Sequence, residues 1–283
     1  MFTVPLCGDG PICIYQDKIF VSVTRSHGTH CPGQKLYDLF QQSFRDMIEG
    51  EEKSVGNNGT NLRWALLVRS VAFYIVFWLF LFVPAGSIAY WQAWVCWAVF
   101  CVSSLAISLW FLKRDPGLIE RRLRGGPGAE NEPGQKIIQA FMALFCLLIV
   151  VVPGLDYRFG WSEVPGYAII MSVILLILGF YIVFLTFREN SYTSAIIEVR
   201  SGQTVTSTGP YALIRHPMYA GAILIIAATP LTLGSWWALL FVPLLIAGIV
   251  WRLLDEEKFL SLNLPGYLKY CKKTRFRLVP GVW

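Results

Sequence analysis

Two short stretches hold most of the residue types that could do chemistry. GPYALIRHPMYAG, residues 209–221, carries Tyr211, Arg215, His216 and Tyr219, and WRLLDEEKFL, residues 251–260, carries Arg252, Glu256 and Glu257. An arginine offers a fork of donors to a carboxylate or phosphate and stays charged throughout. A carboxylate such as Glu256 can meet a cationic ligand or its hydroxyls, and His216 can exchange a proton near neutral pH. Ionisable groups beside apolar spans are costly, so those that persist pair with one another or line a cavity. Taken singly, Arg215 and Arg252 also fit ordinary basic anchors, and Asp255, Glu256 and Glu257 fit a solvated helix end. Tyr211, Tyr219 and Tyr267 individually fit interfacial aromatics, the reading favoured for Tyr267.

These residues share a level only if the elements between them are helices. Pro217 suits the first turn of a helix, where its missing N–H needs no partner. From there an apolar run, Pro217 to Gly234, reaches the turn Leu233-Gly234-Ser235, which leaves no room for a loop. A second run, Ser235 to Trp251, comes back over nearly the same rise, so Arg252 and Glu256 return to the level of His216. The two are four residues apart and occupy one helix face. Four longer runs precede this hairpin: Trp64 to Val83, Trp91 to Leu112, Ile137 to Leu155 and Gly166 to Phe187. Each can cross a hydrocarbon core of about 30 Å. Of the 283 residues, 55% are hydrophobic and 15% aromatic, with mean hydropathy +0.53, which excludes an ordinary soluble domain. The predicted fold is all-α, a polytopic membrane bundle of about six spans ending in a helical hairpin.

Basic residues set the orientation, because short translocated loops rarely keep them. Six Lys and Arg precede Trp64, six lie from Lys113 to Lys136, three from Arg188 to Arg215 and seven from Arg252 to Arg277. Both termini are therefore expected in the cytoplasm, with Arg69 snorkelling from the first span and Arg158 alone in an external loop. The net charge of +6 then reflects topology and anionic lipid, and nucleic acid is not an expected partner. The seven cysteines have no paired spacing, so neither a disulfide framework nor a zinc site is expected. His27, His30 and Cys31 stand close together, but two exposed His and a Cys in a loop commonly coincide without a metal.

Residues 1–60 show no helical or strand period and read as a cytoplasmic segment, disordered or, upstream of Met47, a start-site artefact. No signal peptide is evident, and Asn58-Gly59-Thr60, a glycosylation acceptor by pattern, would lie on the wrong side of the membrane. Residues 61–283 form the membrane domain, with the working core from 188 onward. The loop Lys113 to Lys136 holds Asp115-Pro116-Gly117, Arg121, Arg122, Arg124 and Gly125-Gly126-Pro127-Gly128. It reads as a basic anchor with a flexible turn, a lid over the site being the alternative. No Gly-x-Gly-x-x-Gly follows a strand, so a cofactor has to be held by the membrane helices and their extensions.

GPY-x4-RHPMYAG, the hairpin, the acidic pair in EEKFL and the ending PGYLKYCKKTRFRLVP together resemble the isoprenylcysteine carboxyl methyltransferase and phospholipid methyltransferase superfamily of integral membrane enzymes. The resemblance covers roughly residues 165–283 and fades in the first four spans. It implies an S-adenosylmethionine-dependent methyltransferase. Gln203, Thr204, Val205, Thr206, Tyr211, His216, Pro217, Met218 and Tyr219 would then wrap S-adenosylmethionine, and Glu256 would complete the pocket. Arg252 would face the acceptor, with His216 able to take a proton where one has to leave. Glu198 falls near a further cofactor position; the commoner family pattern has Gln near Glu198 and His near Gln203. The implied partners are the bilayer and a lipophilic methyl acceptor, first a prenylcysteine-type carboxylate, with a phospholipid amine or a small thiol as alternatives. No obligate protein partner is implied. The plasma membrane of a prokaryote is the first expected location and the endoplasmic reticulum the second.

Methyl transfer from a sulfonium is an in-line displacement, so the protein has to align donor and nucleophile and exclude water. A carboxylate acceptor needs no base, whereas an amine acceptor has to lose a proton. Two other classes stay open. CKKTRFRLVPGVW is similar to the C-terminal phrase of NADPH-dependent membrane sterol reductases, and a catalytically silent membrane scaffold would bind neither ligand.

Overall fold

The computed structural model describes the backbone of residues 13–15, 18–20, 62–123, 133–193 and 202–283. The chain divides into two units, Met1–Gly59 and Thr60–Trp283. In the first, β1 (Cys13–Tyr15) and β2 (Lys18–Phe20) pair antiparallel, with Ile14 opposite Ile19. No strand was expected there. Ile14 and Tyr15 in β1 and Ile19 and Phe20 in β2 are β-branched or aromatic, residue types that favour strands. His27, His30, Cys31, Met47, Asn58-Gly59-Thr60, Arg124, Gly125-Gly126-Pro127-Gly128 and Glu198 lie outside the described residues.

The second unit is helical. Its helices are α1 (Leu62–Ala85), α2 (Trp91–Arg114), α3 (Pro116–Leu123), α4 (Pro133–Phe159), α5 (Gly166–Glu189), α6 (Pro217–Thr232), α7 (Val242–Asn263) and α8 (Tyr267–Lys273), with 3-10 turns at Gly209–Ala212 and Trp237–Phe241. Among the described residues, α1, α2, most of α4, α5 and the continuous run Trp237–Asn263 are long and apolar enough to cross a bilayer, and α6 is a shorter apolar helix. The expected all-α polytopic bundle is therefore present, with five long spans and one short helix. On α5, Ile170, Met171, Ile174, Ile177 and Tyr181 are exposed while Ser172, Leu176, Gly179 and Phe180 are buried. Water penalises such an apolar outer face and hydrocarbon does not.

α5 and α6 cross at backbone contact. A Cβ placed on Gly179 would stand 2.8 Å from the Gly221 carbonyl oxygen, and one on Gly221 would stand 2.9 Å from that of Gly179. Helices in a bilayer associate through such small residues because lipid supplies no hydrophobic drive between them. The Ser172 and Thr232 hydroxyls, 2.9 Å apart, add a polar tie along the same seam. Gly221→Leu is expected to cost about 1–3 kcal/mol by overpacking and to lower the thermal midpoint in detergent. An unchanged midpoint would refute this crossing.

The far end of the hairpin turns on Gly234, whose φ of 75° favours a residue without a side chain. Asp156, at the end of α4 and 1% exposed, accepts hydrogen bonds from the Ser162 and Ser235 hydroxyls and, at 2.8 Å, from the Ser162 N–H. The Tyr90 hydroxyl donates to the Leu233 carbonyl. These contacts hold the turn and leave the opposite end of α6 to the site.

Three local expectations are corrected. Residues 116–123 form a helix and not a flexible turn: Pro116 opens it, the Asp115 carboxylate accepts from the Leu118 N–H at 3.0 Å, and Leu118 and Ile119 bury. That helix also takes the Arg69 guanidinium, which donates to the Leu123 carbonyl where snorkelling to the surface was expected. Arg158 belongs to the last turn of α4, its guanidinium 5.7 Å from the Phe159 ring centroid, and not to a loop. As the shared face of Arg252 and Glu256 requires, the return helix runs past Trp251 to Asn263, because the run from Leu253 to Lys258 favours helix although it is polar.

Candidate active site

The site forms where α6 begins. A residue before proline is pushed out of the α region, and His216 stands just outside α6 with φ −127° and ψ 63°. The preceding Gly209–Ala212 turn carries Tyr211 inward, and the extended segment from Gln203 to Thr206 runs beside it. α7 arrives from the other side with Arg252, Glu256 and Glu257. The C-terminal segment closes a third side: the Arg215 N–H donates to the Phe276 carbonyl at 2.9 Å and the His216 N–H to the Arg277 carbonyl at 3.0 Å.

Two carboxylates divide the work. The Tyr219 hydroxyl donates to Glu256 Oε2 at 2.6 Å, and Arg252 also reaches that hydroxyl. Glu257 collects three cationic or potentially cationic partners: Arg215 Nη1 at 2.7 Å, His216 Nε2 at 3.2 Å and Arg277 Nε at 2.9 Å. Sequence spacing had brought Glu256 to the level of His216 without fixing its partner; adjacent helix positions point about 100° apart, so Glu256 meets Tyr219 and Glu257 meets His216. His216 and Arg252 are only 6% and 9% exposed, and the imidazole packs 5.7 Å from the Tyr219 ring.

Arg215, His216, Tyr219, Arg252 and Glu256 open on one cavity. It holds about 880 Å³ of empty space, part of it continuous with solvent, in the range of about 300–1,000 Å³ typical of small-molecule sites. Gln203, Thr204, Val205, Thr206, Tyr211, His216, Pro217, Met218, Tyr219, Arg252 and Glu256 all line it. So do Asn190, Thr193, Leu260, Leu264, Tyr267 and Tyr270, which the sequence did not single out for a site. Tyr267, read as an interfacial aromatic, is 5% exposed. The spacing of three between Tyr267 and Tyr270 was the available signal, since it sets both on one face of α8.

Burial governs the tyrosines. It pushes the Tyr211 phenol up to about 12, against the hydrogen bonds of Asn190 and Thr193, and raises Tyr267 and Tyr270 too. All three therefore act as neutral hydroxyls. Asn190 Nδ2 donates to the Tyr211 hydroxyl at 3.2 Å, and the Tyr270 hydroxyl donates to the Tyr211 carbonyl at 2.8 Å, which fixes α8 against the 3-10 turn. The Tyr267 hydroxyl is buried and has no hydrogen-bond partner among the described residues.

On the α3 side, Arg122 lies 3.8 Å from the Met218 sulfur and 4.9 Å from the Phe187 ring centroid. Burial lowers the pKa of its guanidinium; Tyr219 opposes that shift and the nearby Arg252 adds to it. Arg121, one position along, turns outward to Asp115 at 3.6 Å and to the Ser191 carbonyl.

A buried site of arginines, glutamates and tyrosines among membrane helices defines a polytopic membrane protein with a ligand cavity at one end of its bundle. Residues 167–264, from the start of α5 past the end of α7, match the family model of phospholipid methyltransferase, a family of the same membrane methyltransferase superfamily that the sequence motifs resemble. No curated protein matches the chain.

Proposed function

We propose that the protein is an S-adenosylmethionine-dependent methyltransferase that esterifies the carboxylate of a membrane-dissolved, prenylcysteine-type acceptor. The observation that carries this reading is the way the site's histidine is held. His216 Nε2 meets Glu257, and Arg215 and Arg277 already occupy that carboxylate. Arg252, meanwhile, stands at the cavity wall beside Tyr219. An acceptor that reacts as an anion needs an arginine to orient it and no base to deprotonate it.

The cavity suits the cofactor by its donors and acceptors. Glu256 offers a carboxylate to an amino group or a pair of ribose hydroxyls, and the Tyr267 hydroxyl is a buried group still in need of a partner. Thr204, Val205 and Thr206 bring their backbone and side chains to the cavity wall, where peptide groups can meet the polar parts of a ligand. S-adenosylmethionine bound there supplies a methyl group on a sulfonium, which a nucleophile takes in a displacement that returns the bonding pair to sulfur. Tyr219 ties Arg252 to Glu256, which couples the acceptor's orientation to the cofactor's. Tyr267 and Tyr270 cover the cavity and keep water from competing. The distribution of Lys and Arg supports a cavity on the cytoplasmic face.

The family match favours a second acceptor, a phospholipid headgroup amine. That chemistry has to shed a proton, for which the His216–Glu257 pair is the available route. Labelled-methyl transfer separates the two: a carboxylate product is an alkali-labile ester, whereas a methylated amine survives alkali. Glu256→Ala is expected to weaken S-adenosylmethionine by about 10-fold or more, about 1.4 kcal/mol, in equilibrium binding to detergent-purified protein. Unaltered affinity would remove Glu256 from the cofactor site, and binding of NADPH in place of S-adenosylmethionine would overturn the methyltransferase reading.

A further inference from the structure

The Asp115-Pro116-Gly117 stretch and Arg121 take no part in the chemistry proposed above, yet together they form one device. Pro116 opens α3, and Asp115 Oδ1 accepts from the Leu118 N–H at 3.0 Å. The same oxygen lies 3.6 Å from Arg121 Nη2. Gly117 makes room for that guanidinium: a Cβ there would stand 2.9 Å from Arg121 Nη1 and 3.4 Å from Asp115 Oδ1. Nη1 is the tip of a flexible side chain, so a methyl group at residue 117 would displace the guanidinium and leave the helix in place. α3 itself is anchored, because Leu118 and Ile119 bury beside Phe111 and Phe187.

From this seat Arg121 Nη2 reaches the Ser191 carbonyl, 70 residues further along the chain. Ser191 belongs to the loop after α5, and its neighbours Asn190, Tyr192 and Thr193 all line the cofactor cavity. The loop is tied to itself: the Tyr192 N–H donates to Asn190 Oδ1 at 3.0 Å, and the Thr193 hydroxyl to the Asn190 carbonyl at 2.7 Å. It is also tied across the cavity, where Asn190 Nδ2 donates to the Tyr211 hydroxyl at 3.2 Å. The loop thus moves as one piece, and where its Ser191 carbonyl is held decides where Asn190 and the Tyr211 phenol stand. An exposed loop with few packed neighbours opens easily unless an anchored element grips it. Arg121 is that grip, a strut from a buried helix to the cavity wall.

We propose that Arg121 is a positioning residue: seated by Asp115 over Gly117, it holds the Ser191 carbonyl and so sets the Asn190–Thr193 wall of the cavity for the cofactor. The inference rests on the methyltransferase reading for the identity of the ligand. It deepens that reading by making the cofactor site depend on α3, which lies outside the segment that carries the family match.

The test compares wild type, Arg121→Ala, Gly117→Ala and the double variant, each as the full chain in detergent. Hydrogen exchange over residues 188–193 reads the loop without any ligand, and equilibrium binding of S-adenosylmethionine reads the cavity. Arg121→Ala is expected to speed exchange in the loop by about 10-fold and to weaken S-adenosylmethionine by about 5-fold to 10-fold, with the thermal midpoint and the exchange of α5 and α6 unchanged. Gly117→Ala separates positioning from support of the fold. Alanine suits a helix better than glycine, so a role in the fold alone predicts a neutral or stabilised protein with wild-type affinity. The strut predicts the same losses as Arg121→Ala. In the double variant the guanidinium is already gone, so the second change should add less than about 2-fold. Arg121→Lys, which keeps the charge and one reach to the carbonyl, should recover part of the affinity. Gly117→Ala with wild-type exchange and affinity overturns the seat. Unchanged exchange in Arg121→Ala overturns the strut, and a loosened loop with unchanged affinity overturns its role for the cavity. If wild-type protein binds no S-adenosylmethionine, the proposed function and the cavity role fail together, while exchange still decides whether the strut holds the loop.

Discussion

Glu257→Ala is expected to abolish S-adenosylmethionine binding and to give the largest loss of stability of any single change in the site. Its carboxylate is 11% exposed and serves Arg215, His216 and Arg277 together. Removing one member of a buried charge cluster leaves the others uncompensated, at a cost of about 3–5 kcal/mol. The damage also spreads along the chain. Arg215 and His216 hold the segment around Phe276 and Arg277 by backbone hydrogen bonds, and Arg277 returns through Glu257, so the start of α6, the middle of α7 and the C-terminal segment share this one carboxylate. Glu257→Gln keeps the shape and one acceptor and should fall between wild type and alanine. Thermal unfolding in detergent reads the stability, and faster tryptic cleavage at Arg275 and Arg277 reads release of the segment. If the alanine variant keeps the wild-type midpoint and resists cleavage, the three-way cluster contributes little and the site is held by other contacts.

Arg252→Lys is expected to lower methyl transfer by about 100-fold while leaving S-adenosylmethionine affinity nearly intact, because misplacing an acceptor by about 1 Å costs that much in rate. Lysine keeps the charge and loses the fork. In this protein the fork does two things at once: it reaches the Tyr219 hydroxyl, which is bonded to Glu256, and it stands where the cavity meets Arg122. A point charge can do one or the other. Steady-state kinetics with labelled S-adenosylmethionine, alongside equilibrium binding, separates a loss in acceptor handling from a loss in cofactor binding. A lysine variant with full activity would move acceptor recognition away from Arg252; one that binds no S-adenosylmethionine would make the residue a support of the cofactor pocket.

Much of this was legible in the residues alone. Five of the spans follow from apolar length, since a hydrocarbon core admits only backbones that satisfy their own hydrogen bonds, and a run of sufficient length has one solution. The hairpin at Gly234 and the return of Arg252 and Glu256 to the level of His216 follow from rise per residue, a local quantity. The motif from Gly209 to Gly221 pointed to the cavity residues because each lies within a few positions of a proline that sets the local path.

What required the tertiary structure is everything decided by direction and by chain-distant partners. Spacing brought His216 level with both glutamates, and only the rotation of α7 about its axis gave His216 to Glu257 and Tyr219 to Glu256. Arg277 and Tyr267 come from beyond the apolar runs, and nothing local foretells that the segment carrying Arg277 folds back over residues 215 and 216. Arg121 and Arg122 look alike in sequence as basic anchors. The burial of Leu118 and Ile119 turns α3 so that one arginine meets the surface loop and the other the site. Apolar length and rise are properties of a segment by itself, whereas the facing of a charge depends on which helices pack around it, and packing is settled only when the whole bundle forms.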